Sequence, residues 1–196
     1  MISHMNIFNQ GEEAYFSKFR ARKDLLFRPV CLWLDALNVD PTHLSIVGLM
    51  MVIPFGFFLN VFDWLALLCL GLNIFLDAID GSLARHANKS SAHLEWIDIF
   101  CDYASFFVIY LTLFFKGYLG GFWAYFYIIN YAVMLWFVHY ANSNKIRTFP
   151  VFRSKYFLYL TLVVFVVSGV NLFDPFLVLV GVYMFVSNVF LVQEII

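Results

Sequence analysis

Residues 64–84 read WLALLCLGLNIFLDAIDGSLA, and this stretch decides the fold class of the chain. Its only charged side chains are Asp77 and Asp80, which lie near its C-terminal end. The 21 residues would form a helix about 31 Å long, roughly the thickness of the hydrocarbon core of a bilayer. The stretch therefore predicts a membrane-spanning helix with two carboxylates near one end.

The composition of the whole chain agrees with a lipid environment. Of its 196 residues, 63% are hydrophobic, 21% are aromatic and only 13% are charged. A soluble domain carries about a quarter charged residues, because its surface must be hydrated. The composition therefore disfavours a soluble enzyme, a disordered tail and a nucleic-acid-binding domain, and it predicts an integral membrane protein without a nucleic-acid partner.

Apolar runs long enough to cross a bilayer recur along the chain, with short polar loops between them. They predict an all-α membrane protein with six transmembrane helices in residues 41–196, preceded by a juxtamembrane segment in residues 1–40. The six predicted spans are residues 43–62, 64–84, 94–115, 119–141, 156–171 and 173–192.

The juxtamembrane segment predicts an amphipathic helix. Aromatic and aliphatic residues from Tyr15 to Val30 recur at three- and four-residue spacing against basic side chains such as Lys18 and Lys23. Such a helix suits the plane of the membrane interface, and a solvated helix in a soluble extension is the alternative. Pro29 predicts a kink, followed by a second short helix over residues 30–37.

The distribution of Lys and Arg predicts the orientation, because short loops rich in these residues stay cytoplasmic. Eleven of the twelve basic residues fall before span one, between spans two and three, or between spans four and five, and Lys116 lies on the opposite side. This alternation predicts cytoplasmic N- and C-termini. It also supports the count of six spans, since a missed span would disrupt it.

Four carboxylates lie at the predicted cytoplasmic ends of two spans. Asp77 and Asp80 are in the last turns of span two, and Asp98 and Asp102 are in the first turns of span three. Spacings of three and four residues place each pair on one helix face, and the short connection makes the two helices antiparallel neighbours. We therefore expect the four side chains to converge on one site.

Four negative charges in a partly apolar site repel one another, so the site favours protonation or bound cations. Two divalent cations would balance the charge, and all-oxygen ligands suit Mg²⁺, Mn²⁺ or Ca²⁺. Pairs of such metals recur in phosphoryl-transfer chemistry. One alternative is that the carboxylates join helices through hydrogen bonds. Another is a cation-binding transporter or channel, which usually places its charges nearer the membrane midplane.

The same residues resemble the signature of the CDP-alcohol phosphotransferases, also called CDP-alcohol phosphatidyltransferases. That signature is D-x-x-D-G-x-x-A-R, then seven or eight residues, then G-x-x-x-D-x-x-x-D. The chain has DAIDGSLAR at residues 77–85, followed by eight residues, Leu94, Asp98 and Asp102, so seven of the eight specified positions match. The sequence PTHLS at residues 41–45 is also similar to the family's entry to span one. The resemblance covers nearly the whole chain.

The resemblance implies a membrane enzyme that transfers a phosphatidyl group from a CDP-activated lipid, such as CDP-diacylglycerol, to a small alcohol and releases CMP. It implies two divalent cations, Mg²⁺ or Mn²⁺, contact with membrane lipids, a homodimer, and an active site that faces the cytoplasm from the cell (inner) membrane. The implied site residues are metal ligands Asp77, Asp80, Asp98 and Asp102, and nucleotide-binding residues Asp80, Gly81, Ala84 and Arg85. Besides binding metal, Asp102 would be the general base that takes the proton from the acceptor hydroxyl.

One position departs from the signature. Leu94 stands where the family has its second glycine, which helps to make space beside the nucleotide. The extra side chain predicts a displaced nucleotide, a displaced helix start or reduced activity. A pseudoenzyme that retains the metal site is therefore the rival interpretation within the family.

The acceptor alcohol is predicted from the loop after span four. Lys145 and Arg147 form a Lys-x-Arg segment similar to the one that binds the acceptor phosphate in the phosphatidylglycerolphosphate and phosphatidylinositol-phosphate synthases. This favours a phosphorylated polyol, either glycerol 3-phosphate or inositol phosphate. Positive-inside charge or anionic lipid binding would explain the same residues, and serine, inositol or choline is the alternative acceptor.

Overall fold

The computed structural model describes the backbone of residues 10–87, 92–144 and 154–195, and all regular structure in these ranges is α-helical. This confirms the all-α fold class. The helices are α1 (Gln10–Ala36), α2 (Pro41–Met50), α3 (Val52–Phe58), α4 (Asp63–His86), α5 (Ala92–Phe115), α6 (Gly121–Ser143), α7 (Lys155–Ser168) and α8 (Phe173–Ile195).

Within these residues, five helical segments are long and apolar enough to cross a membrane. They make the chain an integral membrane protein of the helical class. The fifth predicted span corresponds to α7, whose 14 residues cover about 21 Å, less than the roughly 30 Å of a bilayer core. The five segments are Pro41–Phe58, Asp63–His86, Trp96–Phe115, Gly121–Ala141 and Phe173–Gln193.

The first predicted span is shorter than expected and is divided in two. A single turn at Met51 separates α2 from α3, three residues before Pro54, which has no N–H to bond the carbonyl of Met50. Helix α3 then ends at Phe58, because Asn60 adopts a positive φ of 74°. The backbone N–H of Asn60 donates to Asp63 Oδ1 at 2.7 Å, which links this turn to the start of α4.

Helix α1 is continuous through Pro29, where the sequence predicted a kink and a second helix. The proline removes the hydrogen bond to the carbonyl of Leu25, but Leu25 and Pro29 are both exposed, so that carbonyl can be hydrated. One face of α1 packs on α4, because the ring of Phe27 meets Phe75 edge-on at 5.7 Å and Cys31 is buried. The other face leaves its apolar side chains exposed, as an interfacial helix requires.

The chain divides into two compact units, and the first is Lys18–Thr112. Its core is formed where α2 and α3 pack along α4, with Phe55, Leu59 and Leu83 fully buried. Gly48 lies at the contact of α2 with α4, where a Cβ would be in ordinary van der Waals contact with the Cβ of Leu76 at 3.5 Å. This unit contains all four signature aspartates.

The second unit combines Met1–Ser17 with Leu113–Ile196, and its main contact is between α6 and α8. Two buried amides meet at this contact: Asn188 Nδ2 donates to the backbone oxygen of Asn130 at 3.0 Å and to its Oδ1 at 3.2 Å. Gly181 allows close packing nearby, because a Cβ there would lie 3.1 Å from the ring of Phe126. Helix α7 also packs on α8 and ends at Gly169, whose φ is 71°.

Candidate functional site

A small, open cavity lies among α2, α4 and α5, within the unit Lys18–Thr112. Each helix presents one face to it, because the lining residues of a helix are three or four positions apart. The structure places all four signature aspartates along this cavity. The lining residues are Ser45 and Gly48 from α2, Asn73, Asp77 and Asp80 from α4, and Asp98, Cys101, Asp102 and Ser105 from α5.

Asp80 is the most deeply placed of these carboxylates, with only 3% of its surface exposed. A buried carboxylate requires hydrogen-bond donors, and Ser45 Oγ donates to Asp80 Oδ2 at 2.7 Å. Ser45 is itself buried and also bonds the carbonyl of Pro41, one turn earlier in α2. Asp77, Asp98 and Asp102 are half-buried where they line the cavity.

A second polar contact holds the deeper part of the cavity. Asn73 Nδ2 donates to the backbone oxygen of Gly48 at 2.9 Å and to Ser105 Oγ at 3.2 Å. One amide on α4 therefore ties α2 to α5. In an apolar surrounding such bonds fix the relative positions of helices, because the alternative is an unsatisfied polar group.

The carboxylates do not form a ready-made metal cage. Across the described parts of the chain, no three His, Cys, Asp or Glu side chains are arranged so that they could already hold a cation. The Asp80 carboxylate instead accepts hydrogen bonds from Ser45 Oγ and the backbone N–H of Gly81. The chemistry of the donors nevertheless fits a hard cation, since four carboxylates and two serine hydroxyls line one cavity, to which Cys101 contributes a single thiol.

Arg85, one of the predicted nucleotide-binding residues, is half-exposed at the end of α4 and forms a bidentate ion pair with Asp24 of α1. Its Nε donates to Asp24 Oδ2 at 2.9 Å, and its Nη2 donates to Oδ1 at 2.7 Å. Nη2 also donates a hydrogen bond to Ser82 Oγ at 3.4 Å. The ion pair spans 61 residues of sequence and holds the guanidinium in one orientation.

The charges around this ion pair perturb two groups of α1. Burial acts to raise the pKa of Asp24, but hydrogen bonds from Arg85 and Ser82 and the charges of Arg85 and Lys23 outweigh it, so the pKa is lowered. For Lys23, burial and then the charge of Arg85 lower the pKa, against the opposing effect of Asp77 and other carboxylates. Both residues of α1 therefore lie within electrostatic reach of the Arg85 end of the site.

The remaining predicted residues fall in different places. Gly81 and Ala84 are half-buried on α4 and do not line the cavity, and Leu94 on α5 is also half-buried outside its lining. A Cβ on Gly81 would contact Arg85 Nη1 at 3.4 Å, so the surface over Gly81 is bordered by that guanidinium. Lys145 and Arg147 lie outside the described residues.

Sequence reasoning did not identify several of the lining residues or the partner of Arg85. Asn73 precedes Asp77 by four residues, and Cys101 and Ser105 follow Asp98 and Asp102 by three. Helical spacing from the aspartates would have found these three. No comparable signal marks Asp24, because its contact with Arg85 depends on the tertiary placement of α1.

The fold and this cavity define a polytopic helical membrane protein with a carboxylate-lined site between its helices. A match to the CDP-alcohol phosphatidyltransferase family spans residues 38–193, about four-fifths of the chain. The chain therefore belongs to that family, as the resemblance of residues 77–102 predicted. A comparison with curated proteins gave no match.

Proposed function

We propose that this protein transfers a phosphatidyl or related substituted phosphate group from a CDP-activated lipid, such as CDP-diacylglycerol, to a small alcohol, with release of CMP. The observation that carries the proposal is the convergence of Asp77, Asp80, Asp98 and Asp102 on one cavity between helices α4 and α5. Membership of the CDP-alcohol phosphatidyltransferase family supports transfer of this general kind.

The four aspartates are the proposed ligands of two divalent cations, Mg²⁺ or Mn²⁺. Their eight carboxylate oxygens are the donors that hard cations prefer, and two such ions would cancel the four negative charges. When bound, the ions would neutralise phosphate oxygens and stabilise the developing charge of the transferred group. Ser45 Oγ donates to one oxygen of Asp80 and the backbone N–H of Gly81 donates to the other, and these two hydrogen bonds orient that carboxylate.

Three groups of the chain have proposed roles toward the substrates. Asp102 accepts the proton of the acceptor hydroxyl, whose oxygen attacks the phosphorus remote from cytidine. The bond between that phosphorus and the CMP oxygen breaks, and CMP leaves with the electron pair. Arg85 donates hydrogen bonds to the diphosphate, and the small residues Gly81 and Ala84 leave room for the nucleotide along α4.

The acceptor is proposed to be a phosphorylated polyol, glycerol 3-phosphate or inositol phosphate, bound through Lys145 and Arg147. The proposed topology has six spans with α7 as the fifth, cytoplasmic termini, and a site that faces the cytoplasm from the cell membrane. Eleven of the twelve basic residues support this orientation. A homodimer stays a prediction from the family resemblance, and light scattering of the purified protein would measure it.

The test is CMP release by the purified full-length protein with CDP-diacylglycerol, with and without Mg²⁺ or Mn²⁺. The acceptor panel is glycerol 3-phosphate, inositol 1-phosphate, inositol, serine, choline and no acceptor. Release that requires both a metal and one acceptor is expected. The absence of CMP release with every acceptor, together with the absence of CDP binding, would refute the proposal. Metal binding without CMP release would indicate a pseudoenzyme.

Two variants separate the proposed roles of the aspartates. Asp102→Asn should abolish turnover and largely retain metal affinity, because Asp102 is proposed to lie at the edge of the metal site and to act as the base. Asp77→Asn should weaken both metal affinity and turnover. Asp174→Asn is the matched control, because Asp174 is an exposed carboxylate in the first turn of α8. Full activity of Asp102→Asn would contradict its role as the base.

A further inference from the structure

Asp24 binds the edge of the Arg85 guanidinium that Nε and Nη2 form, and the Nη1 side is left available to a ligand. A guanidinium carries five N–H groups. Asp24 accepts one from Nε and one from Nη2, and Ser82 Oγ lies within reach of the second N–H of Nη2. Nη1 lies toward Gly81, where a Cβ would be 3.4 Å away. The remaining donors of Arg85 therefore border the surface of α4 over Gly81.

The carboxylate that holds Arg85 is on a well-anchored part of α1. Phe27 and Cys31 follow Asp24 by three and seven residues, so all three lie on one helix face. The ring of Phe27 meets that of Phe75 on α4, and Cys31 is 1% exposed. Asp24 is thus fixed relative to α4 by packing as well as by its ion pair.

A half-exposed arginine would otherwise sample many rotamers, and a ligand would have to order it on binding. A side chain that is already fixed loses less conformational entropy when a ligand binds, which is the basis of preorganisation. The bidentate ion pair also fixes the orientation of the guanidinium plane, because both carboxylate oxygens of Asp24 accept hydrogen bonds from it.

We propose that Asp24 is a positioning residue, which holds Arg85 by its Nε and Nη2 edge so that Nη1 faces the diphosphate of the CDP-activated lipid over Gly81. This inference rests on the proposed function of Arg85. It gives the amphipathic helix α1 a part in substrate binding, in addition to contact with the membrane interface.

The experiment compares Asp24→Asn with Asp35→Asn in the full-length protein, because Asp35 is a half-buried carboxylate on the same helix. Asp24→Asn should raise KM for CDP-diacylglycerol about tenfold with kcat changed less than about twofold, since Nη1 binds the diphosphate in the ground state and the transition state alike. CDP affinity measured by calorimetry should fall by the same factor. Asp24→Glu should recover part of it, and Asp35→Asn should match the wild type.

A double-mutant cycle tests whether Asp24 acts through Arg85. Asp24→Asn should have no further effect on KM in an Arg85→Ala background. An additive effect, or an unchanged or lower KM in Asp24→Asn alone, would overturn the inference; a lower KM would mean that Asp24 competes with the diphosphate. A wild type without CDP affinity or CMP release would refute the proposed function and this inference together. An active wild type with an unaffected Asp24→Asn variant would overturn the inference alone.

Discussion

Replacement of Asn73 should destabilise the protein by an amount that its two hydrogen bonds predict. Its Nδ2 bonds the Gly48 carbonyl at 2.9 Å and Ser105 Oγ at 3.2 Å, and Asn73 and Ser105 are both buried. Hydrogen bonds between membrane helices average about 0.6 kcal/mol and reach about 1.7 kcal/mol. Loss of both bonds in Asn73→Leu should therefore lower the free energy of unfolding by about 1 to 2 kcal/mol.

Reversible unfolding in mixed micelles, titrated with SDS and followed by circular dichroism, would measure this change. Leucine has the same branching and number of side-chain heavy atoms as asparagine and two bulkier methyl groups, so the variant removes the hydrogen bonds without leaving a cavity. The control is Asn144→Ala, because Asn144 is exposed and bonds only within its own helix in the described structure. It should change the free energy by less than about 0.5 kcal/mol. A loss in Asn73→Leu no larger than that of the control would refute the assigned role.

Four further substitutions test other features of the fold and site. Gly181→Ala should cost about 1 kcal/mol in the same SDS titration, because the Phe126 ring must move. Gly71→Ala, in open space on α4, should instead be neutral or stabilising by up to about 1 kcal/mol. Gly169→Ala should cost about 1 kcal/mol, since its φ of 71° is unfavourable for alanine, and an unchanged midpoint would contradict this. Leu94→Gly should raise CDP affinity in calorimetry if its side chain crowds the nucleotide; a loss would make Leu94 an adapted part of the site.

The helical fold and most of its boundaries could be predicted from apolar run length. Residues 64–84 and 94–115 correspond to α4 and α5 within two residues at each end, because charged or polar residues terminate these runs. The first span was less predictable. Most of its residues are apolar, so hydropathy alone did not show the break at Met51 or the turn at Asn60, and the local signals for them are Pro54 and Asn60 itself.

The candidate site could be predicted where it depends on helical spacing and could not where it depends on tertiary contacts. The four aspartates lie on the cavity because spacings of three and four keep side chains on one face. The ion pair of Arg85 with Asp24 joins residues 61 positions apart, and no local pattern encodes it. The hydrogen bond from Ser45 to Asp80 could not be predicted for the same reason, since it joins α2 to α4.

The buried amide pair of Asn130 and Asn188 has a consequence for how this sequence can change. Helices α6 and α8 are apolar around most of their circumference, and apolar contacts are less specific for one alignment than hydrogen bonds are. The amide bonds at 3.0 and 3.2 Å exist in one alignment only. The pair thus selects the register, which leaves the surrounding phenylalanines and leucines free to interchange during evolution while the two asparagines are constrained.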